Sequence, residues 1–147
     1  MKENVKKALE NNKEALHSLV ILHRASDTIY KQEIETMKKY KLTMGQFGVL
    51  EALYNKGGLR IQELIDKLLS TSGNMTVVIR NMMRDGYITK VPDCHDKRAF
   101  RIHLTDLGRQ TIEAILPEHY DNIGRIFNVL SLEEQENLNK ILKKFKR

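Results

Sequence analysis

Small polar side chains followed by arginines mark one stretch of this chain: Ser72, Asn74 and Thr76, then Arg80 and Arg84. Short hydroxyl and carboxamide side chains can exchange hydrogen bonds with base edges in a major groove, while guanidinium groups further along can reach phosphates. Ser72 is also of the type that caps a helix start. A second group follows at Asp96 and Arg98. Two apart on extended backbone, they share a face, so the carboxylate steadies the guanidinium and leaves its far edge free for a minor groove. Both groups lie between Thr71 and Leu104, a segment that sets Arg80, Arg84, Lys90, Lys97, Arg98 and Arg101 against Asp85, Asp93 and Asp96, half of the chain's net charge of +6. A polyanionic partner fits that distribution.

Other reactive groups offer less. Cys94, His95, Asp96 and His103 are zinc-type ligands, but three consecutive residues do not converge on one tetrahedral ion, so no metal and no cofactor is expected. Cys94 is the one cysteine. It cannot form an internal disulfide, which fits a reducing, cytoplasmic setting. Flanked by His95, Lys97 and Arg98, it is the candidate thiolate of an alternative, redox-responsive reading, although no second cysteine is present to resolve a sulfenic acid. No phosphate loop, nucleophile elbow or paired acid and base is visible, so the chain is not read as an enzyme. The basic tail Lys140, Lys143, Lys144, Lys146 and Arg147 reads as a solvated helix end.

The elements that must carry these residues follow from periodicity. At 147 residues, 41% hydrophobic and 30% charged, the chain has material for one domain spanning residues 1–147. Its longest apolar run, Leu19 to Leu22, is far too short to span a membrane. The first forty residues have apolar positions at helical spacing, as one long helix or two. Thr43 and Gln46 form a capping box that starts a helix at Met44, and Gly57-Gly58 stops it. Ile61, Leu64, Ile65 and Leu68 make a short amphipathic helix, and Met75, Val78, Ile79 and Met82 make another after the polar turn Ser70 to Gly73. Two short helices joined by a tight turn form a helix-turn-helix.

Beyond Asp85-Gly86 the period becomes two, with Tyr87 to Val91 and Phe100 to Leu104 as a β-hairpin whose charged connection, Pro92 to Arg98, projects as a loop. Thr105 caps a further helix that Pro117 is expected to bend, and Ser131 with Glu134 launches the last one. The fold class is therefore mainly α with a small β-hairpin wing: a winged helix-turn-helix lobe over residues 43–104, flanked by dimerisation helices at about 1–40 and 105–147. Apolar stripes on both terminal helices exceed what so small a core can cover, which points to a homodimer.

Four segments resemble the MarR (multiple antibiotic resistance regulator) family: Leu42 to Phe47, Ser72-Gly-Asn-Met-Thr76, Asp93-Cys-His-Asp-Lys-Arg-Ala99, and Leu104-Thr-Asp-Leu-Gly108. The match runs from about the first helix to the last. It implies a recognition helix starting at Ser72, with Gly73 beside it, and a wing whose tip includes Lys97 and Arg98. It also implies sequence-specific binding of double-stranded DNA at a palindromic operator, repression, and release by a small phenolic or lipophilic effector held between the dimer helices and the DNA-binding lobe. His17, His23, Tyr30 and Phe47 are the candidate lining of that effector pocket. Members that sense peroxide carry a cysteine in the first helix, where this chain has about Leu19. A non-enzymatic architectural protein indifferent to DNA sequence is the further alternative.

Overall fold

The computed structural model describes residues 1–68 and 70–145, so Lys146 and Arg147 of the basic tail lie outside the described residues. The elements are α1 (Glu3–Asn11), α2 (Lys13–Lys39), α3 (Met44–Lys56), α4 (Ile61–Lys67), α5 (Ser72–Arg84), β1 (Ile88–Pro92), β2 (Phe100–Leu104), α6 (Asp106–Phe127) and α7 (Leu132–Leu142). The first forty residues thus form two helices. They part at Asn12, whose φ of −121° leaves the helical region and whose carboxamide donates to the Ala8 carbonyl at 2.9 Å.

Helix starts follow from their own side chains. The Gln46 amide donates to Thr43 Oγ1 at 3.1 Å while Gln46 Oε1 accepts from the Thr43 amide at 3.1 Å, and Ser131 with Glu134 repeats the exchange at 3.2 and 3.1 Å. Losing such a cap typically costs about 0.5–2 kcal/mol. Gly57 and Gly86 take φ of +76° and +84°, the left-handed region that lets the chain leave α3 and α5. Pro117 lies within α6 without ending it.

One core gathers Leu50 and Leu53 of α3, Leu64 of α4, Met75, Ile79 and Met82 of α5, Ile88 and Ile102 of the hairpin, and Ile112 and Ile115 of α6. The strands pair antiparallel with Ile88 opposite Leu104 and Lys90 opposite Ile102. Leu59 adds a bridge to Ile102 through bonds of 3.1 and 2.7 Å, so the stretch before α4 is stitched to the hairpin. The terminal helices share little of this core. Only Thr36 and Met37 of α2 are buried, and α1 and α7 hold no buried residue. Leu16, Leu19, Leu22, Ile141, Leu142 and Phe145 are accordingly exposed.

Candidate nucleic-acid interface

Burial of Met75, Ile79 and Met82 on one stripe of α5 fixes which side chains face outward, because residues three and four apart share a helix face. Ser72, Gly73, Asn74, Thr76, Arg80 and Arg84 are all exposed. The helix is capped by Thr71, whose hydroxyl accepts from the Asn74 amide at 3.2 Å. Ser72 is therefore the first helical residue and not the cap, which frees its side chain from that duty. The Thr76 hydroxyl donates to the Ser72 carbonyl at 2.9 Å, leaving its lone pairs and methyl group as the available contacts. Arg84 is partly engaged, with Nε donating to Asp85 Oδ1 at 3.1 Å. Arg80 makes no ion pair among the described residues.

The hairpin flanks this helix directly. A groove of about 220 Å³ between α4, α5 and β1 is lined by Ile61, Thr76, Ile79, Arg80, Met83 and Lys90. Lys90 Nζ also lies 4.4 Å from the centroid of the Phe100 ring, a cation–π contact across the hairpin.

At the wing tip, Arg98 Nε stands 3.6 Å from Asp96 Oδ1 with the arginine side chain 94% exposed. The pairing arises differently from the extended-strand geometry the spacing suggests. Residues 93–99 form a closed turn, in which Asp96 Oδ1 accepts from the Arg98 amide at 3.0 Å and the Ala99 amide donates to the Asp96 carbonyl at 3.0 Å. An aspartate that bonds the backbone two residues on bends the chain, and here it outweighs strand continuity. Lys97 and Cys94 are exposed on the same loop.

Sequence reasoning missed the residue that holds this loop. Asp93 is 3% exposed. Its Oδ2 accepts from Arg60 Nε at 3.1 Å and Arg101 Nε at 3.0 Å, and its Oδ1 accepts from the amides of His95 at 2.8 Å and Asp96 at 3.3 Å. The His95 amide, with the Arg60 guanidinium and the Asp96 amide, holds the Asp93 carboxyl well below the usual carboxylate range, against the opposing pull of burial. The pattern Asp-x-His-Asp did carry a turn signal, but nothing local points to Arg60, 33 residues away.

The four expected effector-pocket residues are not brought together within one chain. His17, His23 and Tyr30 lie exposed along α2, with His17 and Tyr30 about 20 Å apart by helical rise. Phe47 is in the core, 4.6 Å from the buried ring of His119, whose Nδ1 has no hydrogen-bond partner among the described residues. No described helix is long and apolar enough to cross a membrane.

Comparison with known proteins agrees with this geometry. A family model described as transcriptional regulator SarA/Rot matches residues 29–115. The chain is 35% identical to an uncharacterized HTH-type transcriptional regulator of Bacillus subtilis, YkoM, across 92% of this chain and 88% of that one. Among solved structures it resembles a mutant MarR from E. coli complexed with operator DNA, with a TM-score of 0.81 at 21% identity, covering 92% of this chain and 98% of the other. It also resembles BpsR of Bordetella bronchiseptica, whose DNA binding is regulated by 6-hydroxynicotinic acid, with a TM-score of 0.77 at 24% identity over 84% and 89% of the two chains. A helix-turn-helix with an exposed polar and cationic second helix and an arginine-tipped wing is the winged helix-turn-helix fold of the MarR structures it resembles, and the matching family model with these relatives makes the chain a member of the SarA/Rot family of transcriptional regulators.

Proposed function

We propose that the chain acts as a homodimeric repressor of a near-palindromic operator, with α5 of each subunit in a major groove and Arg98 of each wing in the flanking minor groove. The observation that carries this reading is the continuity of the outward face of α5 with a wing whose Arg98 is 94% exposed and only loosely paired. Asn74 is the candidate base contact, supported by Ser72 and Thr76, and Gly73 allows close backbone approach. Arg80, Arg84 and Lys97 supply phosphate contacts, and Asp96 braces Arg98.

Residues 43–104 serve as the DNA-binding lobe of a single domain, with 1–40 and 105–147 as its dimerising parts. The exposed apolar side chains of α1, α2 and α7 support this division, since a monomer would leave them in water. Two-fold symmetry then sets the half-sites about 34 Å apart. A small aromatic or lipophilic ligand sets the affinity for DNA by binding between the lobes, as the ligand named for BpsR regulates that protein. In this scheme His17, His23 and Tyr30 of α2 face the second subunit, whereas Phe47 and His119 stay enclosed in the core of their own chain.

Selection of bound sequences from a random DNA pool tests the reading. An inverted repeat with half-sites one helical turn apart is expected. Uniform recovery of all sequences would instead indicate an architectural, sequence-indifferent protein.

A further inference from the structure

The root of the wing is held by a charged node. The Asp93 carboxylate, 3% exposed at the start of a surface loop, takes both Arg60 Nε at 3.1 Å and Arg60 Nη2 at 3.0 Å, together with Arg101 Nε at 3.0 Å and the amides of His95 and Asp96. Both arginines are in turn tied elsewhere, Arg60 through its backbone and Arg101 through its guanidinium. The Arg60 amide donates to Glu63 Oε2 at 2.8 Å within the first turn of α4, and Arg101 Nη1 donates to the Gly58 carbonyl at 2.9 Å. Three segments therefore converge on one carboxylate: the start of the helix-turn-helix, strand β2 and the loop that carries Arg98.

The tip beyond this node has little else to fix it. Lys97 and Arg98 are exposed, and the loop closes on itself through Asp93 to Ala99 at 2.9 Å and Ala99 to Asp96 at 3.0 Å, bonds that set its shape but not its direction relative to α5. Direction comes from the Asp93 node, which Arg60 links directly to the start of α4 and Arg101 links to Gly58 and, at 3.8 Å, to Glu63 Oε2 of α4. A wing freed from it would have to be ordered at each binding event, at an entropic cost charged against affinity.

We propose that Asp93 is a positioning residue for DNA binding: it locks the wing and the helix-turn-helix into one body, so that Arg98 meets the DNA when α5 does. This rests on the reading of Arg98 as a DNA contact. The structure assigns Asp93 no contact with DNA itself, since its carboxylate is enclosed by its five donors.

The test is a double-mutant cycle on the full chain and its selected operator, with Asp93→Asn, Arg98→Ala and the combination measured across a salt series. Asparagine keeps the size of the side chain but gives up the charge and one acceptor. Asp93→Asn is expected to weaken binding about tenfold and to lower the salt slope toward that of Arg98→Ala, while the combined variant binds no more weakly than Arg98→Ala alone. Arg60→Gln, which cuts the direct arm to α4 at a partly exposed side chain, is expected to show the same pattern and serves if Asp93→Asn fails to fold. Losses that multiply in the combined variants, with Arg98→Ala itself effective, would make the node merely structural and overturn the proposal. A silent Arg98→Ala would overturn the contact reading, and the positioning role with it.

Discussion

The Tyr40 hydroxyl donates to Glu118 Oε1 at 2.9 Å, tying the end of α2 to the middle of α6. Lys39 Nζ reaches the two oxygens of the same carboxylate at 3.0 and 2.9 Å. The Lys39 and Tyr40 bonds hold Glu118 below its ordinary pKa, and the Glu118 bond raises those of Lys39 and Tyr40. A depressed carboxylate contributes stability above its ordinary pKa and loses it as the pH falls through the folded value; the raised Lys39 and Tyr40 contribute below theirs and lose it as the pH rises through the folded values. Glu118→Gln is therefore expected to melt a few degrees below the parent at neutral pH. Melting both proteins across a pH series should show that gap holding through the neutral range and closing in acid. A gap that widens in acid would contradict the assignment.

Two glycines separate packing from function. A methyl on Gly108 would fall on the Tyr87 carbonyl oxygen, a backbone atom, so Gly108→Ala is expected to cost about 1–3 kcal/mol in denaturant melts. Gly73 has nothing within 4 Å. Gly73→Ala should leave the fold as stable, or firmer by up to about 1 kcal/mol, and yet weaken operator binding because the methyl stands between α5 and the DNA. Unchanged binding would show that this turn keeps its distance from the bases.

What was legible in the sequence was whatever has a local cause. Thr43 with Gln46 and Ser131 with Glu134 announce their helices because both partners of each cap lie within one turn. The alternation through Tyr87 to Val91 gives the hairpin for the same reason. Thr71 and Ser72 are both capping types, so their order was decided only by the geometry of the turn after α4. The bracing role of Asp93 is not legible because its guanidinium partners come from the approach to α4 and from β2, and long-range pairing leaves no periodic trace. Of the residues the resemblance offers for an effector pocket, His17, His23 and Tyr30 sit on the part of α2 that lies beyond the core, while Phe47 of α3 is buried, so one chain alone does not gather them.

The proposed dimerisation through the terminal helices predicts that Ile141→Asp or Leu142→Asp separates the subunits. Those side chains are 55% and 39% exposed in the single chain, and covering an aliphatic side chain fully contributes about 1.5–3 kcal/mol. Sedimentation should show the parent as a dimer at micromolar concentration and the variants shifted toward monomer. A parent that sediments as a monomer would refute the arrangement.

Arg98 and Asn74 are expected to differ in kind. Arg98→Ala removes an exposed charge whose partner is 3.6 Å away, so it should weaken binding to most sequences alike and lower the slope of log affinity against log salt by about one ion per subunit. Sites with narrow A·T-rich minor grooves, where an inserted arginine gains most, should suffer more. Fold and assembly should be unchanged, since the side chain packs against nothing in the core. Asn74→Ala removes a neutral group from the outward face of α5, while the backbone amide that Thr71 caps stays in place. Its cost should be about 1–3 kcal/mol on the preferred operator, with relaxed choice at one position in each half-site and an unaltered salt slope. Titrating both variants against matched and scrambled operators over a salt series distinguishes them, and an Arg98→Ala protein with the parent's affinity and slope would remove the wing from the mechanism.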